Sequence, residues 1–437
     1  MSLTYLSSKS VLQFMDPNLR WVSSFTQQFS RSKKNFRIEL RQRCPGILST
    51  EKSIPMRIDE VQLTPTMIRI NKKTYRLCLY ECYREDSDLT VDKMPEGIRN
   101  VRKMSRERDH DVDHYGIRDQ PEATIRFIER WRQDLDIEHS KDMYYKAKQL
   151  LSIETNPVEM KALEERINHY GSIYYPYLLR EKETPRYRMP YFYFIKLAVG
   201  ETTEVIEYSK TLGDALKYMV GQLFGTASLI TIRVLEINPT APFYYSMPYN
   251  LSVCNLKISE QTSTALNAFS FSSPLQKLEI LAHPREIVDY SNPTLRDARI
   301  LVSTGVVTRE HVENFINPRV IFSKPPPGDF FVLNVLPGLV KKWISVTPDI
   351  GTHFSFAQRD SWNADWLMEG VGRLDGARKC RIPGGRDSNC RVYITIELRN
   401  EESEINVFYE ENDIHVKVYP KGHAMSVEME NVLQLNQ

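Results

Sequence analysis

Leu235-Glu236-Ile237 is the first of five short apolar triplets that recur about 20 to 22 residues apart through the second half of the chain. Each triplet is too short for a helix and is predicted to form a small β-strand. One such unit cannot bury its apolar side alone, so neighbouring units must stack and share a core. The pattern predicts a curved sheet whose extended surface suits binding rather than catalysis. The other triplets are Leu256-Lys257-Ile258, Leu278-Glu279-Ile280, Ile300-Leu301-Val302 and Val320-Ile321-Phe322.

The composition is that of an ordinary globular protein. Hydrophobic residues make up 41% and charged residues 26% of the 437 positions, enough for a large core. The formal net charge of +2 is nearly balanced, so no overall field would attract nucleic acid or an anionic membrane. With 18 glycines, little material is left for Gly-rich phosphate loops.

The sequence favours a cytoplasmic or nuclear location. No segment approaches the roughly 20 apolar residues that a membrane-spanning helix requires. The N-terminus lacks the apolar core of a secretory signal, and the Ser- and Arg-rich residues 1–43 leave a mitochondrial transit peptide as the alternative. The six cysteines show no CxxC spacing and are predicted to be free thiols.

Residues 58–122 are predicted to hold a β-hairpin and a solvated connection. Alternation with period two over residues 58–83 indicates the hairpin, with Asn71-Lys72-Lys73 as its polar connection. Residues 84–122 are dense in charge and poor in large apolar groups, which is typical of a loose connection.

Helical patterns follow. A stripe begins at Ile125, Ile128 and Trp131, and a second segment is predicted around residues 144–151. A further helix begins at Asn156-Pro157, because Asn can cap it and Pro fits its first turn, with Glu159 at the capping-box position.

The remaining predicted elements cover residues 190–419. The strand 190–199 turns at Gly200-Glu201 into the strand 203–208. An uninterrupted apolar stripe predicts a helix over residues 212–223, ended by Gly225. After the triplets we expect helices at 331–344 and 364–374, and strands at 353–356, 392–398, 405–409 and 414–419. The last three strands alternate in polarity, which indicates one wet face.

The N-terminus resembles a degenerate F-box. An F-box helix has a Val-Leu pair, two apolar residues and an Asp-Pro turn, and Val11-Leu12-Gln13-Phe14-Met15-Asp16-Pro17 has that order. The usual Leu-Pro opening is missing, and the similarity is interrupted after Arg20.

The rest of the chain resembles the nematode F-box-C-type proteins, whose long remainder is the domain of unknown function 3557. The resemblance runs from residue 3 to about residue 420, and its motifs are structural rather than catalytic. The matching segments include Arg43-Cys44-Pro45-Gly46-Ile47, Glu51-Lys52-Ser53-Ile54-Pro55, residues 70–77, Ala215-Leu216-Lys217-Tyr218-Met219, residues 351–356 and Arg381-Ile382-Pro383.

One segment departs from that family. There the Asp-Pro turn runs almost directly into the Arg-Cys-Pro helix, whereas residues 21–36 intervene here. We interpret them as an inserted loop or a retained intron, which sequencing the transcript would distinguish.

The resemblance implies a non-catalytic substrate receptor of a cullin-type ubiquitin ligase. Val11, Leu12, Phe14 and Met15, with the Asp16-Pro17 turn, would bind a Skp-type adaptor, and the repeat face would bind an unknown target protein. Two alternatives stay open. The four apolar side chains could pack inside the domain, or the chain could be a free-standing interaction or structural protein whose F-box no longer binds the adaptor.

The predicted fold class is α+β or α/β. Residues 1–57 would form the F-box-like helical segment, 58–190 the hairpin and charged helical connector, and 191–425 a recognition domain. That domain would hold a leucine-rich-repeat-like curved sheet, covering helices and a C-terminal antiparallel group. Residues 426–437 form the tail.

No convincing catalytic, cofactor or metal site emerges, and neither nucleic acid nor membrane is an expected partner. Asp109-His110-Asp111-Val112-Asp113-His114 could ligate a metal, but a solvated acidic run is favoured. The Tyr-rich segments 174–177 and 187–194 could stack bases, yet they also suit buried structure. The turn Gly384-Gly385-Arg386-Asp387 lacks a phosphate-loop signature, and Cys380 and Cys390 beside it are predicted to stay unlinked. An enzyme with an unfamiliar active site remains an alternative.

Overall fold

A computed structural model describes residues 55–83, 106–119, 127–183, 191–200, 202–224, 229–238, 251–259, 262–268, 271, 273–281, 288–306, 308–324, 328–357, 368–382, 391–410 and 413–423. The F-box-like segment with Val11, Leu12, Phe14, Met15, Asp16 and Pro17, the insertion 21–36, residues 84–105 and the tail 426–437 lie outside these ranges.

The chain forms two units, described separately here. Of the described residues, unit 1 comprises those within Pro45–Leu63 and Thr226–Gln437, and unit 2 comprises those within Thr64–Gly225. The helices are α1 (Phe127–Leu151), α2 (Pro157–Glu181), α3 (Leu212–Phe224), α4 (Thr262–Ala268), α5 (Pro293–Arg296), α6 (Arg309–Asn314) and α7 (Gly328–Val346). The strands are β1 (Met56–Thr64), β2 (Met67–Ile70), β3 (Lys73–Tyr83), β4 (Arg106–Arg108), β5 (Tyr191–Val199), β6 (Thr202–Glu207), β7 (Ile230–Ile237), β8 (Leu251–Ile258), β9 (Lys277–Ile280), β10 (Ile300–Ser303), β11 (Arg319–Phe322), β12 (His353–Ala357), β13 (Ala377–Ile382), β14 (Arg391–Glu397), β15 (Ser403–Glu410) and β16 (Asp413–Pro420).

The five apolar triplets lie in adjacent strands of unit 1, as predicted, and these strands are parallel. Leu235 of β7 pairs with Leu256 of β8, which pairs with Leu278 of β9. The same row continues through Leu301 of β10 to Val320 of β11, and all five side chains are at most 1% exposed. The sheet also gains β1, which pairs parallel with β7 although its residues were not assigned to the repeats.

The repeated unit is longer than the triplet. A buried residue lies three positions before the residue that β1 and each of β7 to β11 contribute to the shared apolar row. In β1 and β7 to β9 this gives the spacing apolar-x-x-apolar-x-apolar. This signal is visible in the sequence once the register is known. The residues at this position are Ile58, Ile232, Val253, Leu275, Ala298 and Asn317, each at most 3% exposed.

Asn317 is the polar exception in that series. Its Nδ2 donates to the backbone carbonyls of Leu295 at 2.6 Å, Arg296 at 3.1 Å and Ala298 at 2.9 Å. A helix end leaves carbonyls without partners, so this amide satisfies the end of α5 from the next repeat. The buried amide therefore joins two consecutive repeats.

Aromatic side chains join the helical connections to the apolar face of the parallel strands. The ring of Phe315, which follows α6, lies 6.2 Å from Phe322. Trp343 of α7 meets Phe354 edge to face at 5.0 Å. Such contacts add to the burial of large side chains and fix the helices against the sheet.

An antiparallel group ends the unit 1 sheet in the order β13-β14-β15-β16-β12. The strands predicted at 392–398, 405–409 and 414–419 are confirmed. β13 was missed, since its sequence Ala-Arg-Lys-Cys-Arg-Ile carries little apolar alternation. Residues 368–372 of the helix predicted at 364–374 are helical.

The prediction of a wet face on these strands is wrong for β15. Residues Ser403 to Phe408 are buried on both faces. The Thr395 hydroxyl donates to Asn406 Oδ1 at 2.7 Å, and Asn406 Nδ2 donates to Glu404 at 3.1 Å. Because these polar groups satisfy one another, they can be buried at little cost. β16 does alternate as expected.

The unit 2 sheet follows its sequence closely. β2 and β3 form the predicted hairpin, with Asn71 at φ 53° in the turn. β5 pairs antiparallel with β3 along its full length and turns at Gly200, with φ 60°, into β6. Both turn residues adopt the left-handed conformation that Asn and Gly tolerate.

The charged connection is ordered where it is described, which corrects its prediction as a loose, solvated segment. β4 pairs with β3, Val112 is 4% exposed, and the Asp111 carboxylate accepts bonds from Tyr208 Oη and Leu212 N, both at 2.7 Å. Arg108 forms an ion pair with the buried Glu81 at 2.6 Å. A high density of charge predicted a solvated segment, but these charged side chains bind specific partners within the fold.

The helices of unit 2 differ from their predictions in two details. The two segments predicted between residues 125 and 151 form one continuous helix, α1. Asn156 caps α2 as expected, but its own N–H donates to Glu154 at 2.9 Å rather than to Glu159. Backbone donors at Asn156 and Thr155 hold the pKa of Glu154 below its usual value.

α1 and α2 pack through one apolar cluster that contains Tyr144, Ala147, Leu163, Ile167 and Tyr174. In α3 the predicted stripe is buried at Leu212, Leu216, Met219, Val220 and Leu223.

Candidate interaction surface

Residues between the buried positions of the unit 1 strands face the opposite side of the sheet, which we call the polar face. At β7 to β9 this face carries charges that neutralise one another. Lys257 Nζ lies 3.9 Å from Glu236 and 3.8 Å from Glu279, and Lys277 lies 3.2 Å from Glu279. These side chains are partly exposed, so their ion pairs contribute little to stability.

A second set of charges on the polar face is not neutralised in this way. Strand register places Arg319 of β11, His353 of β12 and Lys417 of β16 side by side, and we call these three residues the basic row. Arg319 is exposed, and Lys417 Nζ lies 4.3 Å from the centre of the Tyr419 ring. Within the described ranges, none of the three forms an ion pair with a carboxylate.

His353 is hydrogen-bonded to a second imidazole, His415 of β16. His353 Nε2 lies 3.0 Å from His415 Nδ1, and His415 Nε2 lies 3.3 Å from the Glu410 carbonyl. A carbonyl can only accept, so the proton of His415 sits on Nε2 and its Nδ1 accepts from His353. This assigns one tautomer to each ring.

The environment keeps His353 neutral at physiological pH. Burial, together with the neighbouring His415, Arg319 and Lys417, lowers the pKa of His353 to about 4. Desolvation and like charge both disfavour an imidazolium.

Stacked rings lie next to the basic row on the same face. Tyr393 of β14 stacks on Phe408 of β15 at 4.9 Å, and Phe408 stacks on His415 at 5.0 Å. Register pairs Tyr393 with Phe408 and Phe408 with His415. We call these three residues the aromatic row. Phe408 is buried at 6% exposure, so Tyr393 and His415 are the partly exposed members of the aromatic row beside the basic row.

Sequence reasoning missed these residues because strands far apart in the chain contribute them. The alternation of Ile414 to Tyr419 places His415 and Lys417 on one face, which is the part of the signal that the sequence holds. Their pairing with His353 depends on β12 lying beside β16, and neither strand indicates that neighbour.

The aspartates of the acidic run at residues 109–114 accept hydrogen bonds from backbone N–H groups. Asp113 Oδ1 accepts from the N–H groups of Tyr115 and Ile117, both at 2.9 Å, while Asp111 holds the start of α3. His110 Nδ1 lies 2.9 Å from Asp109. Across the described ranges, no group of three or more His, Cys, Asp or Glu side chains is placed to hold a metal ion.

Among the tyrosines considered for base stacking, Tyr174 and Tyr175 are buried, and Tyr177 and Tyr193 are partly buried. Tyr174 and Tyr175 are 1% and 4% exposed, and the Tyr174 hydroxyl donates to Glu181 at 2.7 Å. The turn at 384–387, Cys390 and the Cys380 side chain lie outside what the structure describes. Cys78, Cys82 and Cys254 are free thiols.

None of the helices in the described part of the chain is both long enough and apolar enough to cross a membrane. No curated protein matches this chain, and no solved structure does. Residues 211–360 match the family model described as Domain of unknown function (DUF3557), a stretch that contains α3 to β12. The second half of the chain therefore carries a DUF3557 domain.

Proposed function

We propose that this chain is a non-catalytic recognition protein, the substrate receptor of a cullin-type ubiquitin ligase in the cytoplasm or nucleus. The observation that carries the proposal is the extended polar face of unit 1, where strands β7 to β12 lie parallel and in register. A long, rigid and partly exposed sheet face offers many contact points to a macromolecule.

The repeat spacing supports a leucine-rich-repeat-like architecture. The spacing apolar-x-x-apolar-x-apolar is the first part of the leucine-rich-repeat pattern. The pattern expects Asn or Cys three positions after its last apolar residue. That position is Gln261 after Ile258 and His283 after Ile280. The proposed likeness therefore concerns the stacking of strands and not the full repeat.

The F-box-like segment and the DUF3557 match together support membership of the nematode F-box-C-type family. In this proposal Val11, Leu12, Phe14 and Met15 present an apolar helix side to the Skp-type adaptor, and Asp16-Pro17 ends that helix. Docking of an amphipathic helix into a groove is a common recognition mode. The target protein would bind the polar face.

Co-purification tests the ligase assignment. Full-length protein should bring down a Skp-type adaptor and a cullin, and Val11→Asp/Leu12→Asp should lose both. The matched control is Val11→Ile/Leu12→Met, which keeps the side apolar. If the full-length chain captures neither partner while a known F-box protein captures both, the chain is a free-standing interaction protein instead.

A further inference from the structure

We infer that the basic row and the aromatic row bind an acidic segment of a partner protein, and that this binding is coupled to proton uptake by the histidine pair. The segment would present a carboxylate to Arg319, His353 and Lys417, and an apolar or aromatic side chain to the partly exposed Tyr393. This inference deepens the proposed function, since it assigns a chemical class to the target.

Charge complementarity identifies the occupant. On the same face Lys257 and Lys277 are matched by Glu236 and Glu279, with separations of 3.2 to 3.9 Å. Arg319 and Lys417 have no such carboxylate within the described residues, although adjacent strands hold them side by side. Adjacent strands lie roughly 4.8 Å apart, so the three basic side chains can converge on one carboxylate.

A protein segment fits this surface better than a nucleic acid. The polar face continues into β7 to β9, where Lys257 and Lys277 are paired with Glu236 and Glu279 and leave no net positive charge for a phosphate backbone. The net charge of +2 also provides no long basic track. A peptide needs only a local acidic group next to an apolar one, which is what the two rows offer.

The histidine pair couples binding to protons. The groups that face His353 are Arg319 on β11 and His415 and Lys417 on β16, all basic. Since Nε2–H of His353 donates to His415, an added proton would occupy His353 Nδ1. A bound carboxylate supplies the negative charge that stabilises this imidazolium. The bound complex therefore takes up a proton that the free protein excludes, and affinity rises as the pH falls.

Peptide binding to full-length protein tests the inference. The probes are an array of labelled peptides that each pair a Glu or Asp with an aromatic residue two positions away, with Gln or Asn isosteres as neutral controls. We expect acidic peptides to bind at least ~10-fold more tightly than their isosteres at about pH 7. An array in which no acidic peptide exceeds its isostere would overturn the inference.

Charge reversal locates the site. Arg319→Glu/Lys417→Glu should reduce affinity at least ~10-fold. The matched control, Arg296→Glu/Lys341→Glu, makes the same charge change at exposed positions on α5 and α7 and should stay within ~2-fold. Equal losses in both variants would contradict a site at the basic row. If the reversal unfolds the protein by circular dichroism, Arg319→Gln/Lys417→Gln replaces it.

Proton coupling has its own readout. The wild-type affinity should rise ~3-fold or more between about pH 7 and about pH 5.5, whereas the affinities of His353→Gln at these two pH values should agree within ~1.5-fold. A single-stranded oligonucleotide that binds more tightly than every peptide would overturn the protein class. Basic-row variants should still co-purify the adaptor, so failure of the ligase assignment and failure of this inference are separate results.

Discussion

The parallel strands β7 to β11 and the antiparallel strands β14 to β16 belong to one unit and one sheet, yet they handle their second face differently. In the parallel region one side is apolar and the other holds partly exposed ion pairs such as Lys277–Glu279. In the antiparallel region β15 is buried on both sides, and Thr395, Asn406 and Glu404 satisfy one another. A regular apolar row thus determines that one face is buried. Whether the other face is also buried depends on whether its polar groups form hydrogen bonds with one another.

The largest effect should come from the shared apolar row. Leu278→Asp places a carboxylate at a fully buried position and should cost at least ~4 kcal/mol, enough to unfold unit 1. Urea denaturation and limited proteolysis measure this. Lys277→Asp, one residue earlier and on the polar face, is the control and should stay folded. Wild-type resistance in Leu278→Asp would refute the burial of the row.

The buried polar network should give the next effect. Asn406→Ala removes the acceptor of Thr395 and a donor to Glu404, and should cost about 1–3 kcal/mol. In urea titrations, Thr395→Val/Asn406→Leu should cost less than the sum of its two single changes, because it removes both partners together. Strict additivity would show that Thr395 and Asn406 are not coupled, and that the antiparallel region differs from the parallel one only in burial.

His353, on the strand between the two regions, should make stability depend on pH. Its pKa is lowered to about 4 in the fold, against an ordinary value near ~6.5 in the unfolded chain. Above about pH 6.5 both states are neutral; between those values the unfolded chain binds a proton that the fold excludes, so stability falls as pH falls.

Thermal unfolding from about pH 7 to about pH 4.5 measures this. His353→Asn should lose less stability across this range than the wild type, whereas His139→Asn, at an exposed position of α1, should follow the wild type. Parallel curves for wild type and His353→Asn would mean that the pKa of His353 is the same in the folded and unfolded states.

The smallest effect should come from the ion pairs of the parallel region. Lys257→Ala removes two pairs at 3.8 and 3.9 Å from a partly exposed lysine and should change stability by less than ~0.5 kcal/mol. The urea midpoint is sufficient to detect a larger change. A loss above ~1 kcal/mol would show that the polar face is stabilised by its charges, like the antiparallel region.

The sequence alone supported the elements whose periodicity is local. The hairpin at Asn71, the stripe of α3 and the five triplets each contain their own signal, and the triplets also predicted that neighbouring strands stack on a shared core. The network around Asn406 had no such signal, because alternation places a polar residue outward regardless of its partners. The sequence also predicted Asp111 to be solvated. Its hydrogen bond with Leu212 joins residues far apart in the chain, and no local pattern indicates such a bond.

The sequence predicted that an extended sheet face exists, but it did not predict which residues form the candidate surface on it. His415 and Lys417 share a face by alternation, but the neighbour that makes them a basic row, His353, follows from β12 lying beside β16. Strand order between a parallel and an antiparallel region is decided by tertiary packing, and no local pattern in either strand encodes it.

The strand neighbours of the DUF3557 domain limit how the chain can be divided. β7 pairs with a strand at residues 56–63, and β12 pairs with a strand at residues 413–417. Both partner strands lie outside the matched segment 211–360. An excised piece with those ends would therefore carry two unsatisfied strand borders. Unpaired edge strands can pair with other copies of the chain. Aggregation of the excised piece would therefore reflect the position of the cuts and not an intrinsic property of the domain.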